Sequence, residues 1–143
     1  MKPPPILSSP YYPIHWHLVS HVDPTKTYAA NNSLHHNFQR CITVHGTHGV
    51  TVSDNVAYST MGHCYFLEDG GEKYNTFHNN LGLLTRPGTT IPSDRRPATF
   101  WVTSPLNTLT GNHAAGSAGV GIWYIFGENV TGRLAKCHFF YTI

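Results

Sequence analysis

The feature that most constrains this chain of 143 residues is an imperfect internal repeat. One unit reads apolar-x-x-Asn, at Leu34 to Asn37, Val52 to Asn55, Phe77 to Asn80 and Leu109 to Asn112. A small residue stands two places after three of these asparagines, at Ala57, Gly82 and Ala114. Asparagine tolerates left-handed backbone and bonds its own chain, so it suits a sharp corner. Asparagines at stacked corners can also share an amide ladder. A second unit follows each corner: CITVH (41–45), CYFLE (64–68), TFWVT (99–103) and GIWYI (121–125). Each is short, β-branched or aromatic, and bounded by Gly, Pro or polar residues, as strands are.

Cys41 and Cys64 are 23 residues apart, and Thr99 and Gly121 are 22 apart. The interval of 35 between Cys64 and Thr99 holds an insertion rich in Pro and Gly. Periods in the low twenties with two or three strands each fit a parallel β-helix, whose coils stack and whose insertions leave from corners. An antiparallel sandwich has strands of similar length, but it does not call for the same corner four times. No long amphipathic window supports a helix. The expected fold is therefore all-β, a parallel β-helix of about four coils. A Pro-rich segment, 1–11, precedes it and a divergent tail, 133–143, follows. The open strand edges of so short a stack predict a piece of a longer β-helix, marginal or sticky in isolation.

Two geometric expectations follow. Asn37, Asn55, Asn80 and Asn112 should occupy equivalent corners. Cys41 and Cys64 should stack with Cα atoms about 4.8 Å apart, within the range that permits a disulfide. Orientation also decides such a bridge, and two stacked free thiols are the default expectation. The third cysteine, Cys137, leaves an odd count.

Composition narrows the function classes. Net charge is +2 with histidine neutral, too small for a nucleic-acid-binding surface. No apolar run approaches the roughly 20 residues of a membrane span, and the N-terminus lacks the pattern of a signal peptide. Asn31-Asn32-Ser33 and Asn129-Val130-Thr131 are glycosylation sequons, which suit a secreted protein.

Alternation along the second-unit strands sends Ile42, Val44, Tyr65, Leu67, Phe100, Val102, Ile122 and Tyr124 to one face. Thr43, Phe66, Trp101 and Trp123 fall on the other, flanked by His45, Glu68 and Thr103. If the first set is core, the second is an outward aromatic stripe suited to stacking on sugar rings. If the faces are reversed, Tyr65 and Tyr124 point outward instead. His15 and His17 share one face of a strand, a spacing able to chelate a metal. No fixed-spacing motif completes a zinc site, so no metal ligands are assigned. His17, His36 or His45, and His63 are candidates for a shared groove, binding carboxylate sugars or acting as acid or base. Glu68-Asp69-Gly70-Gly71-Glu72 is an acidic turn. Paired carboxylates serve glycosidases and also bind Ca²⁺. Arg86, Arg95 and Arg96 fall in the insertion with Asp94, and guanidinium forks match carboxylates.

Longer stretches then resemble a known family. YPIHWHL (12–18), HHNFQRCITVHGTHG (35–49), MGHCYFLEDGGEKYNTFHNNLGLLTRPG (61–88), PSDR (92–95), FWVTSP (100–105) and NHAAGSAGVGIWYIF (112–126) are similar to the β-helix region of the CEMIP family. That family comprises hyaluronan-binding and hyaluronan-degrading proteins. Fibrocystin-L is similar more loosely. The resemblance spans roughly residues 12–132. It implies a right-handed parallel β-helix of an extracellular or cell-surface protein that binds hyaluronan or a similar acidic polysaccharide and, in an intact parent, contributes to its depolymerisation. The alternatives are a non-catalytic binding or adhesion module and an inactive truncated piece. His15, His17, His45, His63, Glu68, Asp69, Asp94 and Arg95 match positions in the family's motifs. Between Arg95 and Phe100 the hyaluronidase members carry a long insertion that is shortened here to Arg96-Pro97-Ala98-Thr99. On this reading Glu68, Asp69 and His63 are the catalytic candidates, with Ca²⁺ as a candidate cofactor. His15, His17, His45, Arg86, Asp94, Arg95, Arg96, Trp101 and Trp123 are the substrate-binding candidates.

Overall fold

The computed structural model describes residues 12–127 and 129–132. The Pro-rich segment before Tyr12, the tail from 133 and Cys137 lie outside the described residues.

The chain winds through repeated three-strand coils. The first contains β1 (Ile14–His21), β2 (Tyr28–Ala30) and β3 (Ser33–His35). The second contains β4 (Ile42–His48), β5 (Thr51–Ser53) and β6 (Val56–Tyr58). The third contains β7 (Tyr65–Leu67), β8 (Thr76–His78) and β9 (Leu81–Leu83). After a 3-10 turn at Pro92–Arg95 come β10 (Ala98–Val102), β11 (Thr108–Thr110) and β12 (His113–Ala115), and β13 (Val120–Tyr124) begins another pass. Equivalent strands stack into three sheets, ordered β1-β4-β7-β10-β13, β2-β5-β8-β11 and β3-β6-β9-β12. Every pairing is parallel. This is the parallel β-helix of about four turns that the repeat implies.

The register of the first sheet matches the spacing argument. Ile42 pairs with Tyr65 and Val44 with Leu67, Phe100 pairs with Tyr65, and Ile122 with Phe100. The faces fall in the first of the two orientations considered. Ile42, Val44, Tyr65, Leu67, Phe100 and Val102 are buried together with Val52 and Phe77. Tyr65 stacks on Phe100 with ring centroids 4.6 Å apart, and its hydroxyl donates to the Leu81 carbonyl at 3.1 Å. Ile122 and Tyr124 belong to the same face but stay 41% and 55% exposed, because β13 is the last described strand of that sheet.

The asparagine ladder exists, with one member corrected. Asn32, Asn55, Asn80 and Asn112 stack in line: Nδ2 of Asn32 donates to Oδ1 of Asn55, Asn55 to Asn80, and Asn80 to Asn112, each at 2.9 Å. The first rung is Asn32, not Asn37. Ala29 pairs with Val52, so the apolar-x-x-Asn unit of that coil is Ala29 to Asn32. Leu34 pairs with Ala57 and occupies the small-residue position. The left-handed residue at each corner is the one before the rung: Asn31, Asp54, Asn79 and Gly111. Asn55 and Asn80 are fully buried, and Asn80 uses its whole amide. Its oxygen accepts from the backbone and side chain of Asn55, and its nitrogen donates to the Val52 carbonyl and to Asn112. A buried amide satisfied this way stabilises; left unpaired it would cost roughly 1–3 kcal/mol per group. Asn75 and Asn107 start a second ladder at the corner before β8 and β11, and Asn75 accepts from Val50 N–H at 2.8 Å. At Gly82 any Cβ would run into the Thr99 methyl, which explains the small residue there.

Cys41 and Cys64 form a disulfide with Cα atoms 4.5 Å apart. The stacking was expected; the default of free thiols is corrected. Both side chains face each other from the same place on adjacent coils. Closing a loop of 23 residues removes unfolded-state entropy worth about 3 kcal/mol.

Candidate functional site

Outward-facing side chains of the first sheet stand in rows, because parallel pairing puts equivalent residues beside one another. One row is His15, Thr43, Phe66, Trp101 and Trp123. The next begins with His17 and His45 and continues through Glu68, whose N–H donates to the Val44 carbonyl. Thr103 follows, its hydroxyl donating to the Leu67 carbonyl at 3.0 Å. Along these rows the repeat breaks into histidines, an acid and aromatics.

The second row ends its regular pairing abruptly. Between His17 and Ser20 the β1–β4 register shifts. Leu18 and Ser20 adopt left-handed φ values of 57° and 70°, uncommon for residues other than glycine. Gly46 opposite is also left-handed at 55°, and a Cβ there would sit 2.6 Å from Leu18 Cδ2. Bulges of this kind re-aim side chains beside sites.

His45 is the hub. Its Nε2 meets Asp69 Oδ2 at 3.0 Å, its Nδ1 meets His17 Nδ1 at 3.0 Å, and Glu68 Oε2 lies 3.5 Å from Nδ1. His15 completes the group, its ring nearly parallel to that of His45. Desolvation, then the neighbouring His17 and His45, hold the His15 pKa down at about 4. The first row is less exposed than a bare stripe: Phe66 is 5% exposed, and Trp101 and Trp123 are half-buried.

Over Phe66 sits a buried charge network. The Arg40 guanidinium lies 3.6 Å from the Phe66 ring centroid. It pairs with Asp94 at 3.4 Å and approaches Glu68 at 3.8 Å. Asp94 comes from the 3-10 turn of the insertion and is fully buried against Gly62 and Gly88. Burial raises its carboxyl pKa, and Arg40 opposes the shift. His63 is also fully buried. The Ala98 N–H donates to His63 Nδ1 at 3.0 Å, so that nitrogen carries no proton and the ring is neutral. Burial, then Arg40, pushes its pKa down to about 3. His63 packs against Trp101 at 4.1 Å between centroids and on Phe66 at 5.4 Å.

The acidic turn splits in two. Glu72 is fully buried and folds back, accepting N–H groups from Gly46, Asp69 and Gly70 at 2.9, 3.0 and 2.9 Å. Burial raises its pKa, and the Gly46 and Asp69 N–H bonds oppose the shift. Glu72 thus pins the turn and leaves half-buried Glu68 and buried Asp69 against His45. Thr131 clamps the turn from the other side, its N–H and hydroxyl donating to the Asp69 carbonyl. Glu68, Asp69, Phe66, Trp101, Thr103 and residues 125–127 and 129–131 line a cleft of ≈ 770 Å³. Arg96 reaches it indirectly, its guanidinium 5.4 Å from the Trp123 ring, and that ring packs on Trp101 at 5.1 Å. Arg95 is exposed on the same insertion. Arg86 turns away and donates to the Ser59 carbonyl at 3.1 Å. His36 meets Tyr58 of β6 edge-to-face, in another sheet. The structure therefore gathers His15, His17, His45, Glu68, Asp69, Trp101 and Trp123 on one face, with His63 and Asp94 buried beneath it. Sequence reasoning missed Arg40, Glu72 as an anchor, and Thr131. Arg40 stands directly before Cys41, and that position in a stacked coil was the available signal.

Comparison with known proteins agrees with the β-helix fold. The family model described as CEMIP beta-helix matches residues 7–98 and 94–141. The human cell surface hyaluronidase CEMIP2 is 44% identical over 152 residues, covering 85% of this chain and 11% of the relative. The human cell migration-inducing and hyaluronan-binding protein is 41% identical over 151 residues, with the same coverage. Mouse fibrocystin-L is 38% identical over 122 residues, covering 85% of this chain and 3% of its own length. The chain thus spans about a tenth or less of these relatives.

Proposed function

This chain belongs to the CEMIP beta-helix family, and we propose that its first sheet carries a cleft for hyaluronan or a closely related uronic-acid polymer at the cell surface. The observation that supports this best is the shared cleft: Glu68, Asp69 and Trp101 line one concave surface, and Trp123 extends it toward Arg96. Aromatic faces stack on sugar rings. A guanidinium matches the carboxylate of each repeating disaccharide. Glu68 and Asp69 are the acid–base candidates for cleavage of a glycosidic bond. His45 contacts both carboxylates and is suited to relay or hold a proton between them. His63 and Asp94 take a positioning part, His63 packing on Trp101 and Asp94 pairing with Arg40.

A non-catalytic binding module is the second reading. It is favoured by the Arg40–Glu68 approach, which holds one acid toward a buried cation. Incubation of hyaluronan with the 143-residue chain, followed by size analysis and by binding to immobilised polymer, separates the readings. Shortening of the polymer that is lost in Glu68→Gln and Asp69→Asn supports cleavage. Binding without shortening supports the module. No binding, with Trp101→Ala indistinguishable from the parent chain, overturns the cleft as a polysaccharide site.

A further inference from the structure

We infer that His15, His17 and His45 form a binding site for a single divalent transition-metal ion of the zinc class. The inference stands on the histidine geometry and does not depend on the polysaccharide reading.

A strand places residues two apart on one face, and parallel pairing sets a neighbour directly beside. His15 and His17 use the first relation on β1. His17 and His45 use the second, being register partners across β1 and β4. One ligand-competent nitrogen from each of the three rings falls within a group no more than 4.8 Å across. A tetrahedral zinc ion needs nitrogens about 2.0–2.1 Å from itself, so the three rings would draw closer together around it than they stand here.

The state of His45 favours a cation over a simple histidine pair. Asp69 Oδ2 is 3.0 Å from Nε2, and a carboxylate there selects the Nε2–H tautomer. The Nδ1 lone pair is then directed at His17 Nδ1, 3.0 Å away. A carboxylate bonded to the far nitrogen of a metal-ligating imidazole is the usual supporting arrangement in zinc sites. Asp69 is itself fixed, since its own N–H bonds Glu72 and its carbonyl accepts from Thr131. Glu68 Oε2 stands 3.5 Å from His45 Nδ1, buried and without a hydrogen-bond partner. It borders the place of a fourth ligand, where water or a substrate oxygen would bind.

Ligand chemistry selects the ion. Three neutral imidazoles suit zinc, copper, nickel or cobalt, whereas Ca²⁺ takes oxygen ligands. The acidic turn is a poor Ca²⁺ cage because Glu72 is committed to three backbone N–H groups. Among the described residues, this is the group of three that meets the geometry. The pairs His21–His48 and His35–His36 lack a third member there.

The test uses the full 143-residue chain at neutral pH, freed of metal by chelation and titrated with Co²⁺ and Zn²⁺. The expected result is one ion per chain by metal analysis, a tetrahedral Co²⁺ absorption spectrum, and displacement of Co²⁺ by Zn²⁺. His17→Ala and His45→Ala should each weaken binding by more than roughly 100-fold. Asp69→Asn should weaken it by roughly 10–100-fold, and the double change His35→Ala with His36→Ala should leave it unaltered. Circular dichroism of each variant establishes folding, and the stoichiometry of the parent chain needs no variant. Absence of saturable one-to-one uptake by the parent chain would overturn the site. So would unchanged affinity in folded His17→Ala and His45→Ala.

Discussion

The asparagine corner between the second and third sheets and the outer face of the first sheet are built from the same coils by opposite rules. At the corner every coil contributes the same residue, and each buried amide is fully paired. On the outer face no two coils contribute the same pair: His15 gives way to Thr43, Phe66, Trp101 and Trp123. Buried polar atoms of Arg40, His63, Glu68 and Asp94 there have no hydrogen-bond partner among the described residues. A stack gains stability by repetition, and a ligand site needs unlike groups brought together. The solenoid confines the second requirement to one face, and the price is a network that is less well satisfied.

The largest effect should come from breaking the corner. Asn80→Ala removes the partner of Asn55 N–H, Asn55 Nδ2, the Val52 carbonyl and Asn112. At roughly 1–1.5 kcal/mol for each lost bond, we expect a loss of about 5 kcal/mol in urea unfolding. Asn37→Ala should cost much less, since Asn37 is outside the ladder. Equal effects would mean that the ladder is not what holds the coils.

Next comes the network under the outer face. Arg40→Ala leaves Asp94 buried without its cation and empties the space over Phe66. Breaking a buried pair from one side costs about 3–5 kcal/mol. Replacing Arg40 by Met together with Asp94 by Leu should recover much of that loss while still weakening polymer binding. Recovery of binding along with stability would assign the network to structure alone.

Acid should damage the outer face before the corner. His63 has a folded pKa of about 3 against an ordinary value of 6.5. Its neutral ring therefore contributes stability that is fully present above pH 6.5 and is lost as pH falls toward 3. The slope is about 1.4 kcal/mol per pH unit. His15 and His48, also held below their ordinary values, act in the same direction. Asp94 and Glu72 have raised pKa values, so they take up protons earlier when folded and offset the loss at the acidic end. Urea midpoints between pH 7.5 and 5.5 should fall, and fall less in His63→Gln.

The smallest effect distinguishes the arginines. Arg96 is at Trp123, while Arg86 is occupied by the Ser59 carbonyl. Arg96→Ala should weaken hyaluronan binding a few-fold, roughly 0.5–1 kcal/mol, with a shallower salt dependence. Arg86→Ala should change affinity little.

Much of this contrast is legible in the sequence, and unevenly so. The strand register of the first sheet follows from Cys41, Cys64, Thr99 and Gly121, because alternation and a fixed period leave little freedom. The corner asparagines are legible wherever a large apolar residue marks the rung, at Val52, Phe77 and Leu109. The first coil misleads because Ala29 is too small to stand out, while Leu34 carries the apolar signal one strand later. Glu68, Asp69 and the histidines are visible as types, and the register places them together. Which way Glu72 folds and what Arg40 packs on depend on the turn and the insertion, where no periodicity operates.

Tryptophan fluorescence titrated with short hyaluronan oligosaccharides tests the central claim most directly. Trp101 and Trp123 lie on the proposed surface, and Trp16 packs against the core. We expect a saturable change that weakens with salt, is lost in the double variant Trp101→Ala with Trp123→Ala, and persists when the corner-side residue His113 is replaced by Ala. No spectral change on adding oligosaccharide, or an equal change in the double tryptophan variant, would contradict a polysaccharide cleft on the first sheet.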